Sequence, residues 1–263
     1  MSKQIISSDY LKNAKRKSGY SLISCCKDRN ENLKNSLESW VKIKKLNEIV
    51  IVDWSSHESI AGCIPTDTNG VNIKLVVAPN QKDWVLSHAY NLGAYFVEYN
   101  KMLKVDADVQ VSEDFFDVYK LKRNLFYRGS WMVATNCNEQ HLNGQFYCYT
   151  NHFWKVNGYH EGITSYGWDD DDLYFRLKKL GIADKYLYKE HLYHQPTSHR
   201  KRIQNQSCFS RVQKIKADIV MLENSVRKNQ VMTKENPWLS SSKRISWDIK
   251  YWDNNIWECT YKT

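Results

Sequence analysis

The chain contains no long apolar run. No segment approaches the roughly 18 consecutive apolar residues that a membrane-spanning helix requires, and the opening Met1-Ser2-Lys3-Gln4 is not followed by an apolar stretch of signal-peptide length. The expectation is a cytoplasmic or cytosol-facing protein with no transmembrane segment. Metal-ribbon and redox cysteine spacings are also missing: the seven cysteines, at 25, 26, 63, 137, 148, 208 and 259, form no C-x-x-C pair. Their odd number argues against a disulfide framework. No internal repeat or low-complexity linker breaks the chain, and with 42% hydrophobic and 25% charged residues it lacks the composition of a disordered protein.

At 263 residues the chain can bury a sizeable core, and one mixed α/β domain is expected. Lys and Arg number 38 against 29 Asp and Glu, a formal charge of +9 that suits anionic partners such as phosphates. Basic residues cluster at Lys12, Lys15, Arg16 and Lys17 and again at His199, Arg200, Lys201 and Arg202, where solvated surface is an equally good reading. No helix joins a basic stripe to a recognition pattern, so no nucleic-acid partner is expected.

Periodicity predicts a strand at Tyr20–Cys25, then a helix opened by Asn30 with Leu33, Leu37, Trp40 and Val41 on one face. Strands follow at Glu48–Val52, Val71–Val77 and Met102–Val105, with a helix over Trp84–Tyr99 between the last two. This βαβ alternation implies a mostly parallel central sheet flanked by helices, with ligands beyond the carboxyl ends of the strands. Further on, Trp131–Thr135 and Gln145–Thr150 read as strands, Asp170–Leu180 and Ile203–Arg227 as helices. The tail, rich in tryptophan, is expected to fold back on the domain. The boundaries are a catalytic domain over 1–202 and a packed helical, Trp-rich extension over 203–263, which also offers a surface for a homodimer.

Three groups of residues carry chemistry. Asp106 and Asp108 stand one residue apart at the end of a buried strand, a site for a hard cation such as Mn²⁺ or Mg²⁺. Asp169, Asp170, Asp171 and Asp172 follow Gly167-Trp168 at the start of a helix. The helix N-terminus offsets part of their repulsion, and crowding raises the proton affinity that a general base needs. Structural capping is the plainer reading of that run. Trp168 offers a face for ring stacking, and His191 or His194 is a candidate to complete a metal shell with Asp108.

Taken in order, Ser21-Leu22-Ile23-Ser24 with Arg29, Ile51-Val52-Asp53, Ser87 to Gly93, Asp106-Ala107-Asp108 and Gly167-Trp168 with its acidic run form a pattern. The chain resembles family 2 glycosyltransferases of the GT-A fold, a Rossmann-like nucleotide-diphospho-sugar transferase fold. Its second half is similar to the C-terminal segment of β-1,4-galactosyltransferases and polypeptide N-acetylgalactosaminyltransferases. Coverage runs over about residues 20–200. The resemblance implies a metal-dependent, inverting hexosyltransferase with a nucleotide-sugar donor, UDP by analogy, and a carbohydrate or glycoprotein acceptor.

It further implies that Ser24, Arg29, Asp53, Asn91, Asp106 and Trp168 bind the donor and that Asp106, Asp108 and His194 or His191 hold the metal. Asp170 falls where the family has its catalytic base, with Asp171 as the alternative. Two departures stand out: relatives carry glycines ahead of the acidic pair, and Asp53 precedes Trp54-Ser55-Ser56 where Asp-Gly-Ser is usual. A non-catalytic nucleotide-sugar or polyanion binding module and a nucleotidyltransferase are the alternatives. The acidic Gly-Trp cluster counts against the latter, whose chemistry needs no base beside a stacking ring.

Overall fold

The computed structural model describes residues 14–187, 189–195, 215–252 and 255–262. Its centre is four parallel strands, β1 (Lys17–Cys26), β2 (Leu46–Asp53), β3 (Asn72–Val77) and β4 (Tyr99–Lys104). Leu22, Ile23 and Ile49 to Val52 are all at most 1% exposed, so both faces of these strands are covered. β1 lies between β2 and β4: the chain winds outward through β2 and β3, then returns to pair β4 on the other side of β1. That reversal opens a crevice beyond the carboxyl ends of β1 and β4.

Two helices close the faces. α1 (Asn30–Trp40) buries Leu33, Leu37 and Trp40, and the Trp40 indole donates to the Val109 carbonyl at 2.8 Å. Each such buried side chain contributes roughly 1.5–3 kcal/mol. α2 (Leu86–Tyr95) lies against the opposite face, shorter than the expected Trp84–Tyr99 because Tyr99 already opens β4. It sits close to the sheet at Gly93, where an added Cβ would come within 2.8 Å of Val52 Cγ2 and 2.9 Å of Ile23 Cδ1.

The second half extends the sheet beyond β4. After β5 (Val109–Val111) and the short α3 (Phe115–Val118) come β6 (Leu125–Arg128), the short α4 (Cys137–Gln140), β7 (Phe146–Tyr149) and α5 (Thr150–Lys155). Next are α6 (Asp169–Lys179), β8 (Ala183–Tyr186) and β9 (Leu192–His194). β7 pairs antiparallel with β4 and β6, β8 pairs parallel with β6, and β5 and β9 form a separate two-stranded ribbon. The strand expected at Trp131–Thr135 is not formed: Trp131–Val133 is an exposed 3₁₀ turn. The true strand, β6, ends at Arg128 because Gly129 turns flush against Leu142, where a Cβ would fall 1.6 Å from the carbonyl oxygen.

α7 (Ile215–Glu235) replaces the helix expected over Ile203–Arg227, whose first residues, 203–214, lie outside the described ones. β10 (Trp247–Tyr251) and β11 (Ile256–Tyr261) then enter the main sheet, β11 pairing parallel with β3 and so covering its edge. Trp247, 2% exposed, meets Trp54 edge to face at 6.0 Å. Among the described residues no helix is long and apolar enough to cross a membrane.

Candidate active site

β4 delivers its carboxylates into the crevice through a tight turn. The Val105 amide continues the sheet to the Ile23 carbonyl at 3.1 Å, and the Val109 amide returns to the Asp106 carbonyl at 3.0 Å, so Asp106 and Asp108 face one cavity. Asp106 is held by Gln145 Nε2 at 2.7 Å, by the Tyr90 hydroxyl at 3.0 Å and by Lys104 Nζ at 3.0 Å. Burial alone would raise its proton affinity. The Lys104 charge and these hydrogen bonds outweigh that and hold the carboxyl well below the usual range.

Asp108, 2% exposed, receives Arg29 Nη1 at 2.5 Å and faces His194 Nε2 at 3.4 Å. Burial again acts upward, and the His194 contact and the Arg29 charge pull the carboxyl below its ordinary value. His194 reaches this position because β9 pairs with β5, setting His194 opposite Val109. His191 does not join it. Its Nδ1 lies 3.0 Å from Ser112 Oγ and 3.3 Å from Asp114 Oδ1, with its ring edge-on to Tyr119, which corrects the expectation that it ligates a metal beside Asp108. His191 closes the 3₁₀ turn Lys189–His191 ahead of β9, whereas His194 lies in the strand itself, so the pairing with β5 that brings His194 to Asp108 does not carry His191 there.

The acidic helix supplies the facing wall. Trp168 caps α6 in the left-handed region at φ 72°, a conformation that costs a bulky residue energy, and its side chain lines the cavity. In the first turn Asp169 and Asp170 are buried, Asp171 is half-buried, and all three line the same cavity. Asp172 is withdrawn into an ion pair with Arg176 at 2.7 Å. The Tyr159 hydroxyl donates to Asp170 Oδ1 at 2.8 Å. Burial, then the charges of Asp169 and Asp106, push the Asp170 carboxyl well up despite the opposing Lys104; Asp169 and Asp171 are pushed up as well, chiefly by burial.

The two acidic groups meet over Gly144. A Cβ there would lie 3.0 Å from Asp170 Oδ2, 3.1 Å from Lys104 Nζ and 3.5 Å from Asp106 Oδ2. A side chain there would press on all three groups, and glycine leaves them room. The shared cavity measures about 670 Å³ and runs from Lys27, Asp83 and Trp84, past Arg29, Asp106, Asp108 and His194, to Trp168, Val226 and Gln230.

Three residues expected at the donor are elsewhere. Ser24 is fully buried, its hydroxyl without a hydrogen-bond partner among the described residues; its strand neighbour Cys25 faces the cavity, so Ser24 faces away. Asp53 turns back to accept the Ser56 amide at 2.9 Å. Asn91 is bonded to the Tyr159 carbonyl at 2.9 Å, to Glu161 at 3.0 Å and to the Tyr159 amide at 2.8 Å. None of the three lines the cavity, and Asn91 instead secures the loop that carries Tyr159.

Lys104, Tyr90, Gln145, Tyr159, Asp83 and Trp84 are the residues that motif order overlooks. Lys104 left one trace, a lysine between the apolar Leu103 and Val105 of a buried strand. As to a cation, no three His, Cys, Asp or Glu side chains converge at metal distance among the described residues. Two carboxylates and an imidazole nevertheless face one space, and Asp108 already carries a positive group in Arg29. Such an O and N donor set fits Mn²⁺ or Mg²⁺ whose remaining positions are taken by phosphate oxygens.

The model for the N-terminal domain of galactosyltransferase matches residues 136–225, the segment that contains β7 and α6. No curated protein sequence matches the chain. Among solved structures, a mutant Drosophila β1,4-galactosyltransferase 7 in complex with manganese, UDP-Gal and xylobiose is similar at TM-score 0.59 and 12% identity, covering 94% of this chain and 95% of that one. The mannosyltransferase PcManGT of Pyrobaculum calidifontis, with GDP-Man and Mn²⁺, gives TM-score 0.56 and 10% identity over 75% of this chain and 67% of that one. GalNAc-T7 with UDP, GalNAc and Mn²⁺ gives 0.52 and 16% identity over 68% and 47%. The chain therefore has the GT-A fold of these nucleotide-sugar transferases, and the segment of it that matches the galactosyltransferase model carries the acidic helix.

Proposed function

We propose that the chain moves a sugar from a nucleoside diphosphate donor, with UDP as the nucleotide, to a hydroxyl of a glycan or glycoprotein, with inversion at the anomeric carbon. The observation that carries this reading is the single cavity in which Asp106 and Asp108 face Asp170. The nucleotide would lie over the ends of β1 and β3, beside Lys27, Asp83 and Trp84, where a doubly wound sheet binds its ligand. Arg29 is placed to meet the diphosphate.

Asp106, Asp108 and His194 would hold Mn²⁺ or Mg²⁺, which when bound offsets the charge of the departing diphosphate. The neighbouring structures crystallised with manganese and UDP-Gal, or with GDP-Man and Mn²⁺, support the cation and the donor class. Asp170 takes the acceptor proton. Its raised proton affinity makes it a stronger base than a free aspartate, and the Tyr159 hydroxyl fixes Oδ1 so that Oδ2 is left for the acceptor. Trp168 offers its face to a sugar ring. A base across the cavity from the leaving group directs attack from the opposite side, so an α-linked donor gives a β-linked product.

Calorimetry with Mn²⁺ and a panel of UDP- and GDP-sugars, paired with an assay of nucleoside diphosphate release and product configuration, tests the reading. Saturable donor binding, acceptor-dependent release and an inverted product are expected. Binding without release would make the chain a binding module; pyrophosphate released from a nucleoside triphosphate would make it a nucleotidyltransferase.

A further inference from the structure

The far wall of the cavity comes from α7, whose second half lies beyond the segment that the galactosyltransferase model matches. Ser225, Asn229 and Thr233 recur at every fourth residue and share one helix face, which grips the loop ahead of the acidic helix. Asn229 is 4% exposed, and its Nδ2 donates to the carbonyls of Gly167 at 2.8 Å, Tyr166 at 3.3 Å and Ser165 at 3.4 Å. Its Oδ1 accepts the Ser165 hydroxyl at 3.1 Å. The Ser225 hydroxyl donates to the Tyr166 carbonyl at 2.9 Å, and the Trp168 indole donates to Thr233 Oγ1 at 3.0 Å. Gly167, at φ +84°, lies flat on Val226, whose Cγ2 would be 2.7 Å from an added Cβ.

These bonds satisfy main-chain carbonyls that a turn at a helix N-terminus leaves open, so α7 sets the shape of the loop and the left-handed pose of Trp168. The adjacent positions on that face, Val226 and Gln230, line the cavity. Charge decides what they face. The lysine and arginine that line the cavity, Lys27 and Arg29, follow β1 at the nucleotide end, whereas Asp169, Asp170 and Asp171 stand on the side of α7. A sugar bearing a carboxylate or phosphate would meet three aspartates there, while the cation nearest to them, Lys104, is buried behind the cavity lining and already engaged by Asp106 and Asp170. The Gln230 amide both donates and accepts, as neutral sugar hydroxyls do.

Resting on the sugar-transfer reading above, we propose that α7 completes an acceptor subsite for a neutral sugar, with Gln230 as a specificity-determining residue and Asn229 as the positioning residue that holds Trp168 under the ring.

The test is steady-state transfer with Mn²⁺ and the best donor of the panel, onto methyl β-galactoside, methyl β-glucoside, methyl β-xyloside and methyl β-glucuronide. The wild type uses one or more of the neutral glycosides and rejects the glucuronide. Gln230→Ala raises the KM for the neutral acceptor about tenfold, the worth of one hydrogen bond, with donor KM held within about twofold. Gln230→Lys adds the missing cation and narrows the preference against the glucuronide. Asn229→Asp keeps the side chain's shape and turns a donor into an acceptor facing carbonyls; kcat/KM for the acceptor falls while donor KM holds. Acceptor KM unmoved in both Gln230 variants, with normal donor turnover, overturns the inference and leaves the sugar-transfer reading intact. A wild type that neither binds nor consumes any nucleotide sugar overturns both.

Discussion

Lys104 Nζ stands 3.0 Å from Asp106 Oδ1 and 3.8 Å from Asp170 Oδ1, with 1% of its side chain exposed. Its remaining neighbours are the Gly144 carbonyl at 2.7 Å and the face of Tyr90 at 4.4 Å. One internal cation thus spans the carboxylate beside the candidate metal site and the candidate base. Burial works against its charge, yet Asp106 and Asp170 push the ammonium up to about 12.

Lys104→Met should therefore destabilise the protein strongly. Removing one partner of a buried ion pair costs roughly 3–5 kcal/mol, because the charge left behind is unmatched. The raised ammonium contributes stability that is complete below its unfolded value of 10.5 and disappears as pH climbs through about 12, so the wild type has all of it at neutral pH. Urea unfolding at pH 7 and at pH 4 checks this. The deficit of the variant should shrink at the lower pH, where the abandoned carboxylates begin to take up protons, and an equal deficit at both values would show that Lys104 acts by packing alone.

Asp170→Asn separates stability from activity. A carboxyl whose folded proton affinity is raised stabilises the fold while protonated, and that stability declines as pH rises from the ordinary carboxylate range, 3.8, toward the folded value. Well above the ordinary carboxylate range the carboxyl therefore weighs against the fold, and asparagine, which does not titrate, removes that burden. Transfer should be lost, donor and Mn²⁺ binding should persist, and the melting temperature at pH 7 should rise by about 2–4 °C, as for other stabilising changes at functional sites. Loss of donor binding together with transfer would point to a different base, Asp171 first.

Much of this arrangement is legible in the chain wherever its parts are contiguous. The parallel strands announce themselves because Leu22, Ile23 and Ile49 to Val52 are apolar on both faces, and the D-x-D and the Asp run are visible because each sits in one short stretch. Convergence is what spacing conceals. Gln145, Tyr159 and Lys104 arrive at the acidic pair from β4 and from loops of the second half, and no periodicity links them. Asn91 and Asp53 occupy the right places in motif order, but their side chains are committed to neighbouring backbone. The strands β10 and β11 are hidden for another reason: four tryptophans in the last thirty residues signal burial without saying that the burial is in the main sheet.

Tyr159→Phe tests how the base is tuned. The Tyr159 hydroxyl donates to Asp170 Oδ1 and so favours the ionised form, opposing the larger effect of burial. Deleting it should lift the proton affinity further and move the acidic limb of the kcat/KM profile to higher pH, while kcat at its plateau falls about tenfold for the lost positioning. An acidic limb displaced to lower pH would contradict this account.

The two histidines give a differential prediction. His194 is buried against Asp108 at 3.4 Å, whereas His191 is engaged by Ser112 and Asp114 outside the cavity. His194→Ala should weaken Mn²⁺-dependent donor binding about tenfold or more, the usual loss when a ligand or its close support is removed. His191→Ala should leave that affinity unchanged and cost only a fraction of a kcal/mol of stability through its partly exposed bonds. Calorimetric titration of each variant with UDP in the presence and absence of Mn²⁺ reads both effects. Equal losses in the two variants would mean that both act through the β5 and β9 ribbon and that neither touches the cation; a loss confined to His194→Ala assigns the imidazole that faces Asp108 to the donor site.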